Sequence, residues 1–188
     1  MIPLFLGLTL ANLLMLSGAF ALGLAARHLG DGADAYAAHL AMGLGAALGT
    51  AMTHCVVYTY FMATTKWLEA ASDKAGLDRQ RFVLQAKAAK SRSFRFVMLA
   101  ILSTMVTAFG GAATDTVPGW PAHLHITLAS VAILTNGLCA RAEWLLIRAR
   151  QALMDEALAR INNPSGVVGG RPAGLAAQPV AGSPTLQG

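Results

Sequence analysis

Four apolar runs occupy most of the chain, at 2–26, 35–63, 94–113 and 122–140, and polar residues collect between them. None alternates polar and apolar positions with the two-residue period of a strand. Each is near or above the roughly 20 residues that a helix needs to cross the hydrocarbon core of a bilayer. A backbone in lipid must satisfy its own hydrogen bonds, so runs of this length predict membrane-crossing helices. The expected fold is all-α, a four-helix transmembrane bundle. The first run has no Lys or Arg before it and exceeds the apolar core of a secretory signal, about 7–15 residues. It is therefore read as a retained first helix, with cleavage near Ala26 as the alternative.

The polar stretches differ in kind. A short turn around Arg27, His28, Asp31 and Asp34 joins the first two runs, and a Pro- and Gly-containing loop with Asp115 and Trp120 joins the last two. The segments 64–93 and 141–161 keep good helix formers and predict helical extensions beyond the membrane, broken once near Gly76. Asp78 is placed to cap the helix that follows. Residues 162–188 are rich in Gly, Pro, Ala and Ser and predict a disordered tail.

Composition agrees with the pattern. The 188-residue chain is 55% hydrophobic and 12% charged, against about 25% charged in an ordinary soluble domain. Its net charge of +5 does not point to nucleic acid, because the basic residues flank the apolar runs on one side. Arg27 is the only Lys or Arg in the two short turns, and the other thirteen of the fourteen lie in or beside 64–93 and after 140. The positive-inside rule makes that side cytoplasmic, with both chain ends on it, as in a bacterial inner membrane. Cys55 and Cys139 lie inside apolar runs and form no CxxC, so they are read as small buried residues.

Packing in lipid relies on small residues and polar contacts. Gly45 and Gly49 form a GxxxG pair, and Gly43 with Ala47 and Ala19 with Gly23 repeat the spacing. Ionisable groups in a membrane are costly and face the interior. At about 100° per residue, His39, Gly43, Ala46, Thr50, Thr53 and His54 share one side of the second run. His125, Ala129, Ala132, Asn136, Cys139 and Glu143 share one side of the fourth. These two runs are parallel, so His39 and His125 fall at one depth. His54, Asn136 and Glu143 form a deeper polar cluster.

Three readings of the histidines stand open. In the first, His39 and His125 are axial ligands of a b-type haem between facing helices. Gly43, Ala46, Ala129 and Ala132 leave room for the flat ring, and Arg27 pairs with a propionate. This placement of histidines on a four-helix architecture resembles the haem-bearing membrane anchors of respiratory enzymes, such as cytochrome b and succinate dehydrogenase anchor subunits. That resemblance implies an electron-transfer subunit working with a quinone pool or partner subunits. Cytochrome b's twin-haem spacing is absent, because Cys139 and Ala140 stand where a partner for His54 would lie.

In the second reading His28, His39, His123 and His125, with Asp31, Asp34 and Asp115, hold copper, zinc or iron at the outer surface. In the third the histidines are structural, with His54 bonding Asn136 or Glu143. His54 with Glu143 also suggests a proton or quinone site near the inner face. No phosphate loop, nucleophile elbow or HExxH is present, and Ser103, Thr104 and Thr107 are expected to bond their own helix backbone. The functional expectation is a membrane redox subunit. The alternative is a non-catalytic accessory or assembly subunit of a larger membrane complex, and a transporter is a third class with no solute indicated.

Overall fold

The computed structural model describes residues 1–29 and 32–163, apart from the side chains at 28–33. The turn residues Gly30 and Asp31, and 164–188 of the expected tail, lie outside the described residues. Within them every regular element is a helix, with no strand. The helices are α1 (Ile2–Leu29), α2 (Gly32–Ala75), α3 (Gln85–Thr116) and α4 (Ala122–Asn162), and a π-helical segment, Gln80–Leu84, leads into α3. All four are long and apolar enough to cross a membrane.

The expected spans and extensions prove continuous. The 44-residue α2 and the 41-residue α4 run without a break from apolar span into polar extension, because helix hydrogen bonding does not depend on what surrounds it. Where the chain does turn, local chemistry decides. Gly76 takes φ +66° after α2, a conformation only glycine adopts freely. Asp78 Oδ1 then accepts from the Gln80 and Arg81 amides at 2.8 and 3.3 Å, which caps the next helix. Between α3 and α4, the Trp120 amide donates to the Val117 carbonyl at 3.1 Å. Pro118 and Gly119, the latter at φ +78°, occupy the centre of this type II turn.

The helices pack as a ring in chain order, with α1 closing against α4, so α2 and α4 face each other across the centre. We call the end with the α1–α2 and α3–α4 turns the upper end. At the lower end α2, α3 and α4 outrun the 28-residue α1 and form a three-helix stalk around Leu68, Phe82, Ala86 and Ala157. Above it, Phe5, Val57, Phe61, Ala140 and Ile147 form a second apolar cluster. The outward faces invert the soluble pattern: Leu14, Leu44, Phe109 and Leu138 are 63–72% exposed, whereas Asn12, Thr50, His54, Asn136 and Glu143 are buried.

The small residues work at the α1–α2 contact. A Cβ on Gly45 would meet Met15 at 2.7 Å, and one on Gly49 would meet the Asn12 side chain at 3.1 Å. Asn12 itself accepts from the Thr50 hydroxyl at 3.2 Å. The GxxxG pair therefore brings the two backbones close enough for a buried polar contact.

The stalk is laced by ion pairs between helices, Lys87–Glu69 and Arg81–Glu156. These partners hold both carboxyls below their ordinary value of 4.5. Such a shift contributes stability that is complete above the unfolded value and is lost as pH falls through the folded one. Stalk stability should therefore be flat near neutrality and decline below about pH 4.5, and Glu156→Gln should weaken that decline in acid titrations followed by helix signal. Phe82→Ala, which empties the centre of the stalk core, should cost about 3–5 kcal/mol in thermal unfolding.

Candidate functional site

The polar interior is organised at two depths. At the upper end a cavity of about 910 Å³ opens among the four helices. Its walls are mostly small and apolar, including Gly43, Ala46, Ala129 and Ala132, and His39 and His125 project into it from the two diagonal helices. Their ring centroids are 6.1 Å apart and their planes meet at 75°. Arg27, Tyr36 and Asp115 stand at the rim, where the Tyr36 hydroxyl donates to the Asp115 carboxylate at 2.6 Å.

Each imidazole is seated on a glycine of the preceding helix. A Cβ on Gly23 of α1 would stand 2.8 Å from the His39 ring, and one on Gly111 of α3 would stand 2.8 Å from the His125 ring. The two hairpins thus repeat one device, a ring on the descending helix backed against a glycine on the ascending one. His39 Nδ1 lies 2.8 Å from the Ala19 carbonyl. A carbonyl can only accept, so Nδ1 carries the proton, and a neutral ring then has its lone pair on Nε2. His125 Nδ1 is buried without a hydrogen-bond partner, although the Thr107 main chain lies beside the ring.

His39 and His125 are the residues that would hold a metal-bearing group in this cavity. A ring nitrogen coordinates at about 2 Å and sits roughly 1.1 Å from its ring centre, so two opposed imidazoles have centroids roughly 6.2 Å apart. A metal-binding imidazole commonly donates its second nitrogen to a backbone carbonyl, as His39 does. A volume of about 910 Å³ lies high in the range for cofactor sites, about 300–1,000 Å³. The donor set, the apolar walls and Arg27 at the rim therefore fit a haem.

His123 does not join this pair. His123 lies on the exposed side of α4, since α4 is regular from Ala122 and two residues turn a side chain about 200°. The side chains of His28 and Asp31 lie outside the described residues. Among the described residues no group of three or more His, Cys, Asp or Glu side chains is arranged to hold a metal ion.

The deeper site joins three helices. His54 Nδ1 lies 2.9 and 3.0 Å from the two Glu143 oxygens, and Nε2 lies 3.4 Å from Asn136 Oδ1. Asn136 Nδ2 donates to the Ala132 carbonyl at 2.9 Å and to the Thr104 hydroxyl at 3.0 Å. Thr104 passes its own proton to the Ala100 carbonyl at 3.0 Å. Thr104 and Ala132 also line the cavity floor, so one hydrogen-bonded chain runs from the cavity to Glu143.

Sequence reasoning missed three members of the interior. Asn12 is the α1 polar contact, and Thr104 serves α4 as well as its own backbone. Arg150 is 2% exposed, donates through Nη2 to the Ala86 carbonyl at 2.6 Å and lies over Phe61. Burial lowers its pKa to about 10. Its signal was present, because Arg150 extends the Asn136, Cys139, Glu143 stripe by two helical turns.

In comparisons with known proteins, no family model matches this chain, and no curated protein or solved structure matches it.

Removing one partner of a buried ion pair costs about 3–5 kcal/mol, whereas replacing both with apolar residues is nearly neutral. Glu143→Leu should therefore lower stability in detergent by about that amount, and adding His54→Leu should restore most of the loss. Gly111→Val should cost about 1–3 kcal/mol by driving the His125 ring from its seat, readable as a lower unfolding temperature.

Proposed function

We propose that this chain is an integral membrane redox subunit that binds one b-type haem between His39 and His125. The observation that carries the reading is the pair of imidazoles, 6.1 Å between centroids, on opposite walls of an apolar cavity. His39 Nε2 and His125 are the ligands, Ala19 fixes the His39 tautomer, and Gly43, Ala46, Ala129 and Ala132 make room for the ring. Arg27 at the rim neutralises a propionate. Bound haem supplies one-electron transfer. The protein's part is to hold both imidazoles, exclude water with apolar walls and present one edge of the cavity at the upper end.

The setting we propose is a bacterial inner membrane with the stalk in the cytoplasm, on the charge distribution given above. Electrons pass to or from a quinone pool or a partner subunit. The stalk, with its exposed charged faces, is the part available to other membrane-protein subunits. An accessory or assembly role for those contacts is the second reading, favoured by the length to which the stalk outruns α1.

The reduced-minus-oxidised visible spectrum of the protein, purified in detergent after expression with ample haem, tests the proposal. A six-coordinate b-type spectrum is expected, and a colourless protein refutes it. Either His39→Ala or His125→Ala should reduce haem retention at least tenfold, a magnitude in line with loss of metal-site contacts, while His123→Ala should leave it unchanged. Because the two ring planes stand 75° apart, the ferric protein should give the highly anisotropic low-spin EPR signal of crossed imidazoles.

Topology has its own measurement. A cysteine introduced at Asn163 should react with an impermeant thiol reagent only from the cytoplasmic side, and one at Thr116 only from the opposite side.

A further inference from the structure

The His54–Glu143 pair is out of reach of the cavity ligands, and its hydrogen bonding fixes more than its position. Ala132 offers only a carbonyl, so the Asn136 nitrogen must face it and the Asn136 oxygen must face His54 Nε2. Thr104, already donating to Ala100, accepts the second Asn136 proton. His54 therefore meets an acceptor at each nitrogen, an amide oxygen at Nε2 and a carboxyl at Nδ1. Nε2 carries a proton, and a further proton lies between Nδ1 and Glu143. Whether that proton sits on nitrogen or oxygen, the pair is neutral as a unit, which suits side chains 2% and 0% exposed.

We propose that His54 and Glu143 together bind one exchangeable proton, released when the cavity group is oxidised and taken up when it is reduced. The linkage to the cavity rests on the haem reading, whereas the proton site does not. In the balance, one electron enters the cavity from a one-electron reductant and one proton passes from water to the anionic pair. Oxidation reverses both. Asn136 closes the upper side, because an amide oxygen held by a fixed network accepts a hydrogen bond from Nε2 without relaying the proton. Exchange therefore proceeds from the Glu143 side, and the chain from cavity to pair stores a proton without conducting one across the bundle.

Other charges leave the pair in control of this titration. α1 has no ionisable side chain between its amino end and Arg27, and α3 has none between Arg95 and Asp115. On α4, Cys139 is coupled to Glu143, Arg141 is exposed and Arg150 lies two turns below. On α2, Tyr58 lies one turn below His54, against Phe94, and Cys55 points outward. The coupling across the bundle is modest. His39 and His54 are fifteen residues apart, about 22 Å along the helix. At an effective dielectric constant of about 20, a unit charge at that distance changes proton affinity roughly three- to fourfold.

Two measurements test this on the full-length protein in lipid. The first needs no haem: infrared titration of the carboxyl band, with nitrogen NMR of His54. It should show Nε2 protonated at neutral pH and a single proton released on alkalinisation, sensed by both residues and absent from Glu143→Gln. A Glu143 that titrates alone, with the same midpoint in His54→Gln, overturns the proton site, as does an unprotonated Nε2. The second is the haem midpoint potential between pH 5 and 10. A pH-dependent shift equivalent to three- to fourfold in electron affinity, lost in Glu143→Gln, supports the linkage. A potential with no such dependence overturns the linkage, and so does a protein that binds no haem. Neither outcome alters the first measurement.

Discussion

The interior depends on one constraint, that a polar side chain removed from water must find its partner within the bundle. Apolar packing cannot distinguish one helix arrangement from another when the surrounding medium is as apolar as the helices. Direction comes from the few groups that cannot face outward. Asn12 with Thr50 joins α1 to α2, and Asn136 with Thr104 joins α4 to α3. His54 with Glu143 then joins the two halves across the diagonal. These contacts specify rotation and depth for all four helices, and the glycines permit the close approach that the contacts require.

The two polar levels differ in chemical character. At the lower one every nitrogen and oxygen of the His54, Asn136 and Glu143 side chains has a protein partner nearby. At the upper one His39 uses a single nitrogen on the protein and His125 uses neither in an ordinary hydrogen bond. A fully partnered network suits structure and proton storage. The upper pair instead lines a cavity, with His39 tied to the protein through the Ala19 carbonyl.

Much of this was legible in the residues. Rotation by 100° per residue was enough to put Ala46, Thr50, Thr53 and His54 on one side, and equal depth followed from two parallel helices starting at similar levels. The apolar runs were legible because their length is set by bilayer thickness. Helix ends were less so: polar composition marks where the apolar surroundings end, but α2 and α4 continue because nothing in their backbones stops them. The π segment at Gln80–Leu84 has no compositional mark. Arg150 was hidden by its charge, which reads as one more basic residue beside the membrane until the stripe through Glu143 is followed further down.

The repeated seat of imidazole on glycine carries a consequence for biogenesis. Each hairpin, α1 with α2 and α3 with α4, contains one complete half of the upper site, and the long stalk turn at Gly76 is all that links them in sequence. Hairpins inserted one after the other during synthesis would each arrive with a ring already oriented by its own partner helix. The diagonal contact of His54 with Glu143 could then form only once both hairpins were in place, which makes it the last step in assembling the bundle.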